Sequence, residues 1–224
     1  MSTNKLPIHF RLFYLVGFLF LAACAGQKEK LIDASAYPTD MVDQSWLNGQ
    51  PCLAPCWQGL MPGISSREDV IEIANSLTFI SGNREPMDSH AEGYLCKIPQ
   101  DSYCVYLAFY ENKLNFLTLG IEYQLTVEQM VDIVGSPDGY VVSERHALKR
   151  TCDIEVLWIS KQVKGIITYE NDLGCEIFFL DNRFPESIQV NFIRYLRPGE
   201  IEQFIESTLN AMGPEYFPWA GFNE

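Results

Sequence analysis

Apolar residues recur at Val70, Ile73, Ala74 and Leu77, the i, i+3, i+4, i+7 spacing that lines one face of a helix. Ser65 ahead of them, with Glu68 three residues on, is the expected capping pair. Sixty-one residues after Ser65 the arrangement returns at Thr126: Leu125, Thr126 and Gln129 supply the hydrophobe, cap and partner, and Val127, Met130, Val131 and Val134 supply the buried face. Gly135-Ser136-Pro137 ends that helix, with a glycine where the chain turns and a proline that cannot continue it. Strand-like sequence follows each helix. The first set is expected near residues 94–98, 103–110 and 114–121, with a turn at Glu111-Asn112-Lys113. The second is expected near 140–143, 154–160, 163–169, 175–180 and 187–195, with a tight turn at Lys161-Gln162. In the last of these Ile188, Val190 and Phe192 alternate with Gln189 and Asn191, which predicts one buried and one wet face. A third helix is predicted after Pro198-Gly199, with Ile201, Phe204, Ile205, Leu209 and Met212 in phase before Gly213-Pro214 stops it.

A helix laid on an antiparallel sheet, used twice, predicts an α+β body of pseudo-duplicated modules over residues 46–213. Its repeat-like halves run 60–121 and 122–196, the C-terminal amphipathic helix spans 198–213, and an aromatic tail follows at 214–224. The stretch Leu125-Thr126-x-x-Gln129-x-Val131-x-x-x-Gly135-x-Pro137 resembles the motif of the small lipoprotein of the outer-membrane β-barrel assembly machine. It is similar also to β-lactamase-inhibitor-protein-like modules. The resemblance covers little more than a dozen residues and the strand order behind them. Pro51-Cys52-Leu53-Ala54-Pro55-Cys56-Trp57-Gln58-Gly59 also resembles a stretch of uncharacterised bacterial envelope lipoproteins.

The first residues carry an address. Met1 to Arg11 holds Lys5 and Arg11 with no acid, and Leu12 to Ala23 is apolar except for the Tyr14 hydroxyl. A helix over that run reaches about 18 Å against the roughly 30 Å of a hydrocarbon core, so it is too short to span. The layout predicts a secretory signal peptide over residues 1–23. Leu21-Ala22-Ala23-Cys24 resembles the lipobox of bacterial lipoproteins. That resemblance implies a diacylglycerol on the Cys24 thiol, removal of everything before it and further acylation, palmitate included, of the new amino terminus. The other reading is an ordinary signal peptide whose Ala-x-Ala site lies beside a cysteine. Residues 24–45 then read as a tether at the membrane. The mature second position is Ala25 rather than Asp, which in the lipoprotein family resembles an outer-membrane or surface destination. The expected location is the cell membrane or outer membrane, facing away from the cytoplasm.

The formal charge of −13 becomes −15 once Lys5 and Arg11 leave with the leader. Such acidity repels phosphate backbones, so no nucleic-acid partner is expected. Cys52, Cys56, Cys96, Cys104, Cys152 and Cys175 are even in number, in a chain predicted to leave the cytosol. Proximity favours Cys52–Cys56, Cys96–Cys104 and Cys152–Cys175 among fifteen pairings. Their spacings supply no pair of zinc knuckles, and no metal or cofactor is expected. A vicinal pair at Cys52 and Cys56 could be redox active. The three intervening residues depart from the two of thioredoxin-like motifs, and a structural bridge is the expected use.

Candidate chemistry is thin. His90 and His146 sit in polar, loop-like sequence with no nucleophile elbow and no His-Glu-x-x-His. Asp153, Glu155, Glu170, Asp172 and Glu176 cluster near the 152–175 hairpins. They read as a solvated acidic edge that discourages strand aggregation, with an acidic-site envelope hydrolase as the alternative. Tyr216, Phe217, Trp219 and Phe222 either fold back on the sheet or anchor a partner. The reading is therefore a lipid-anchored envelope lipoprotein that binds another envelope protein without catalysis. An inhibitor or sensor module is a further alternative.

Overall fold

A computed structural model describes residues 36–88, 90–98, 103–121, 123, 125–146, 150–170, 175, 188–210 and 215–222. All belong to one unit, Ile32–Glu224. The predicted leader, Cys24, the start of the tether, the 99–102 turn and the 176–180 strand lie outside the described residues, as do Asp172, Glu176 and Met212.

The helices are α1 (Ser45–Asn48), α2 (Arg67–Ser76), α3 (Val127–Val134) and α4 (Glu200–Leu209). The capping box on α3 forms as expected: Gln129 N–H donates to the Thr126 hydroxyl at 3.2 Å, and Thr126 N–H donates to Gln129 Oε1 at 2.9 Å. On α2 the box is one residue later than expected, Ser66 with Asp69. Ser65 is unavailable because its hydroxyl accepts from Met61 N–H at 2.9 Å and its carbonyl from Leu114 N–H at 2.9 Å. Each cap removes orphan amide donors and is worth about 1 kcal/mol.

Among the described residues nine strands are formed: β1 (Ile80–Asp88), β2 (Ala91–Cys96), β3 (Tyr103–Tyr110), β4 (Lys113–Gly120), β5 (Gly139–His146), β6 (Arg150–Trp158), β7 (Val163–Glu170), β8 (Phe192–Leu196) and β9 (Glu215–Pro218). They pair antiparallel throughout, in the order β1-β2-β3-β4-β8-β7-β6-β5-β9. The chain is α+β: short helices and one antiparallel sheet. β1 to β4 meander in sequence order, β5 to β8 do the same, and β4 and β8 join the two sets.

The two capped helices are held alike. Arg67 N–H donates to Asn112 O at 3.0 Å and Leu114 N–H to Ser65 O at 2.9 Å, around the bridge Ser66–Lys113. Val127 N–H donates to Ile188 O at 3.1 Å and Val190 N–H to Leu125 O at 2.9 Å, around the bridge Thr126–Gln189. In each case the cap of the helix is laced to the entry of the fourth strand behind it.

The main core joins one side of the sheet to Val70 and Ala74 of α2 and to Val127 and Met130 of α3, with Trp46, Trp57 and Leu60 from the segment ahead of α2. A smaller core on Val141, Leu157 and Leu196 is closed by Ile201 of α4. Full burial of each such side chain contributes about 1.5–3 kcal/mol. Among the described residues no helix is long and apolar enough to cross a membrane.

One strand is added to the expected set, and two expectations are corrected. Strand β1 has no counterpart among the expected strands: Ser81, Gly82, Asn83, Arg84, Glu85 and Pro86 lie on an edge strand, which tolerates polar residues and a proline. Leu209 is 65% exposed, and Thr208 takes the buried position. Thr208 lies seven residues after Ile201, two turns on, whereas Leu209 is rotated about 80° past that line. The alternation over 188–192 also slips: Val190, Ile193 and Tyr195 are buried and Phe192 is 43% exposed. Asn191 absorbs the extra residue, donating its amide to Ile166 O at 2.9 Å and accepting from Ile121 N–H at 2.7 Å.

Candidate functional site

Helix α4 covers one end of its side of the sheet, and beyond it a groove of about 640 Å³ lies open across β3, β4, β8, β7, β6 and β5. Strand register builds it in rows. Tyr106, Thr118, Arg194 and Lys164 lie opposite one another on four neighbouring strands. Phe192, Ile166 and Glu155 form the next row, and Thr168, Asp153 and Ser143 another.

The side chains in these rows fix one another. Arg194 Nε donates to the Thr118 hydroxyl at 2.9 Å, and its guanidinium lies 5.1 Å over the Phe116 ring, which stacks on Tyr106 at 5.8 Å. A planar cation on an aromatic face keeps its remaining donors directed edgewise. Lys164 pairs with Glu155 at 2.6 Å and lies 4.2 Å over the Phe204 ring of α4. Burial pulls the Lys164 amine below its ordinary pKa, and the Glu155 carboxylate opposes that shift. Thr168 donates its hydroxyl to Asp153 at 3.0 Å. The groove thus offers aromatic faces, hydroxyls, one arginine and two carboxylates that already hold partners. Among the described residues no three His, Cys, Asp or Glu side chains converge as a metal site.

Of the expected acidic cluster, Asp153 and Glu155 come together on β6; Glu170 ends β7, and its side chain lies outside the described ones. His90 lies exposed at the β1–β2 turn, where its carbonyl accepts from Phe109 N–H at 2.7 Å. His146 ends β5, and its side chain is likewise outside. The three cysteine pairs are those expected: Cys52–Cys56 and Cys96–Cys104 with Cα atoms 5.7 Å apart, and Cys152–Cys175 at 5.0 Å. Tyr106, Phe116 and Arg194 were not singled out by sequence, and Phe192 was expected on the buried face of its strand. Alternation along the predicted strands offers two faces, but only strand order and the slip at Asn191 show which side chains share the groove.

The aromatic tail packs on its own domain. Residues 215–218 form β9 against β5, and Phe217 stacks on Tyr140 at 5.2 Å. Trp219 meets Phe222 edge-on at 5.2 Å, and both rings pack on the main core. Tyr216 lies against the smaller core and donates its hydroxyl to Asp138 O at 3.3 Å. Close approach depends on Gly139, where a methyl group would stand 2.5 Å from the Tyr216 hydroxyl oxygen. Changing Trp219 and Phe222 together to alanine is expected to cost about 2 kcal/mol, since both rings are half-buried. A thermal melt of the double variant checks this, with Gly139→Ala as a second way to dislodge β9. An unchanged melting temperature for both would show that the tail does not brace the sheet.

No protein-family model, no curated protein and no solved structure matches this chain.

Proposed function

We propose that this chain is a lipid-anchored lipoprotein of the bacterial cell envelope whose body binds another envelope protein without catalysis. The observation that carries the binding role is the open groove on the sheet, where Phe192 is 43% exposed beside the stacked Arg194, Phe116 and Tyr106. Aromatic residues and arginine dominate the binding energy of protein interfaces. The Asp153 and Glu155 carboxylates are occupied by Thr168 and Lys164, which favours docking over the hydrolase reading.

The anchor rests on Leu21-Ala22-Ala23-Cys24 and its resemblance to a lipobox. Diacylglycerol on Cys24, with roughly 0.8 kcal/mol for each buried CH₂, would hold the body at a membrane surface. The body itself is read as a pseudo-duplication of one helix-on-sheet module. The matched lacing of Ser66 to Lys113 and of Thr126 to Gln189, each ahead of a four-strand meander, supports that reading.

Two measurements test the proposal. Cys24→Ser should abolish incorporation of labelled fatty acid, because a hydroxyl does not replace the thiol in acyl transfer; label in the variant would overturn the anchor. A photoreactive residue at Phe192 should yield a discrete protein adduct in intact cells, while the same residue at Tyr110, 59% exposed and outside the groove, should not. Equal labelling at both positions, or none at Phe192, would overturn the docking role.

A further inference from the structure

The three disulfides sit in different surroundings. Cys96 and Cys104 are 3% and 8% exposed, and Cys152 and Cys175 are 0% and 3% exposed. Cys52 and Cys56 are only half-buried, in a loop ahead of α2 that belongs to no strand. The exposed Gly59 amide donates to Cys52 Sγ at 3.4 Å. That loop is also fastened independently of its bridge: Trp57 and Leu60 are fully buried and exchange both backbone hydrogen bonds, at 3.0 and 2.7 Å, and the Trp57 indole donates to Asp43 at 2.9 Å.

We propose that Cys52–Cys56 is a thiol–disulfide exchange site, reduced by a dithiol oxidoreductase while the rest of the fold stays intact. Exchange requires in-line access to a sulfur and proceeds faster when the departing sulfur is the better thiolate. The Gly59 amide stabilises negative charge on Cys52, so Cys52 is the leaving group and Cys56 is attacked. The thiolate of the dithiol bonds to Cys56 Sγ, the Cys52–Cys56 bond breaks, and its electron pair goes to Cys52, which takes a proton from water. The second thiol of the dithiol then loses its proton and attacks its own partner sulfur in the mixed disulfide, releasing Cys56 as a thiolate that is protonated in turn. The dithiol ends as a disulfide and the protein holds two thiols, so two electrons and two protons have moved. The bridge closes a ring across only three intervening residues, and the buried Trp57 and Leu60 hold the segment when it opens. The two buried bridges, by contrast, join Cys96 of β2 to Cys104 of β3 and Cys152 of β6 to the buried Cys175, and their sulfurs are shielded from a protein reductant. This site is independent of both the anchor and the groove.

The test uses the full chain in detergent. Graded dithiothreitol, quenched with N-ethylmaleimide and mapped by peptide mass, should label Cys52 and Cys56 at least about tenfold faster than the other four cysteines. Circular dichroism and melting behaviour should be nearly unchanged at that stage. Thioredoxin with its second active-site cysteine replaced by serine should then be trapped on Cys56, with Cys52 alkylated. A doubly substituted Cys52→Ser/Cys56→Ser chain should melt like the reduced protein and trap nothing. Simultaneous reduction of all three bridges, reduction only in denaturant, or trapping on Cys52 would overturn the assignment.

Discussion

Replacing Arg67 by leucine is expected to cost the fold about 3–5 kcal/mol, a drop of about 10 °C or more in Tm for a domain of this size. Arg67 is the first residue of α2, and its Nη2 reaches Glu92 Oε1 on β2 at 2.9 Å. Glu92 is 0% exposed and accepts also from the Tyr94 hydroxyl at 3.2 Å; the Arg67 guanidinium lies 4.9 Å over the Phe109 ring. Removing the cation takes the Arg67 charge and its hydrogen bond from a fully buried carboxylate, and the desolvation penalty of that carboxylate dominates the loss. Lysine would serve poorly, because it lacks the planar fork and the stacking surface. Neutralising the acid as well, in Arg67→Leu/Glu92→Gln, should recover most of the stability. Urea unfolding of the two single variants and the double variant gives the coupling directly. Additive losses would show that the pair does not act as a unit.

Truncating Trp57 to alanine should likewise cost about 3–5 kcal/mol, because a fully buried indole leaves a cavity that the surroundings fill only in part. The conservative Trp57→Phe isolates a second effect. The Asp43 carboxyl is raised above its ordinary pKa chiefly by burial, while hydrogen bonds from Ser45, Trp57 and Gln58 pull it down. A carboxyl raised in the folded state favours the protonated fold. Its contribution is therefore fully present below the unfolded pKa and is lost as pH rises through the folded value. Without the indole donor the folded pKa rises further, so Trp57→Phe should be most destabilised near neutral pH. The gap to the parent chain should narrow as pH falls through the raised pKa of Asp43. Denaturation midpoints for both proteins across that window check the sign. A gap that widened on acidification would show that the indole does not support the charged carboxylate.

Local chemistry determined several features from sequence alone. Thr126 and Gln129 cap α3 because the residues that satisfy its first amides lie within one turn of it. The β3–β4 hairpin is equally local: Glu111 and Asn112 take positive φ values of 49° and 62°, the pairing needed for a tight antiparallel turn. Cysteine proximity anticipated all three bridges, since each pair is separated by 23 residues or fewer. Other features had no local cause. β1 is a strand because β2 offers it an edge, and its polar residues carry no period that would announce it. Ser65 yields the cap to Ser66 because Met61 and Leu114 engage it first. The tail becomes β9 because Gly139 leaves bare backbone on β5 for Tyr216 and Phe217 to approach. Above all, the groove exists because β8 lies between β4 and β7, bringing Arg194 beside Thr118 from 76 residues away. Helices and hairpins are written in neighbours along the chain; which strands become neighbours is decided by the burial of both sheet faces, and only the folded chain fixes that.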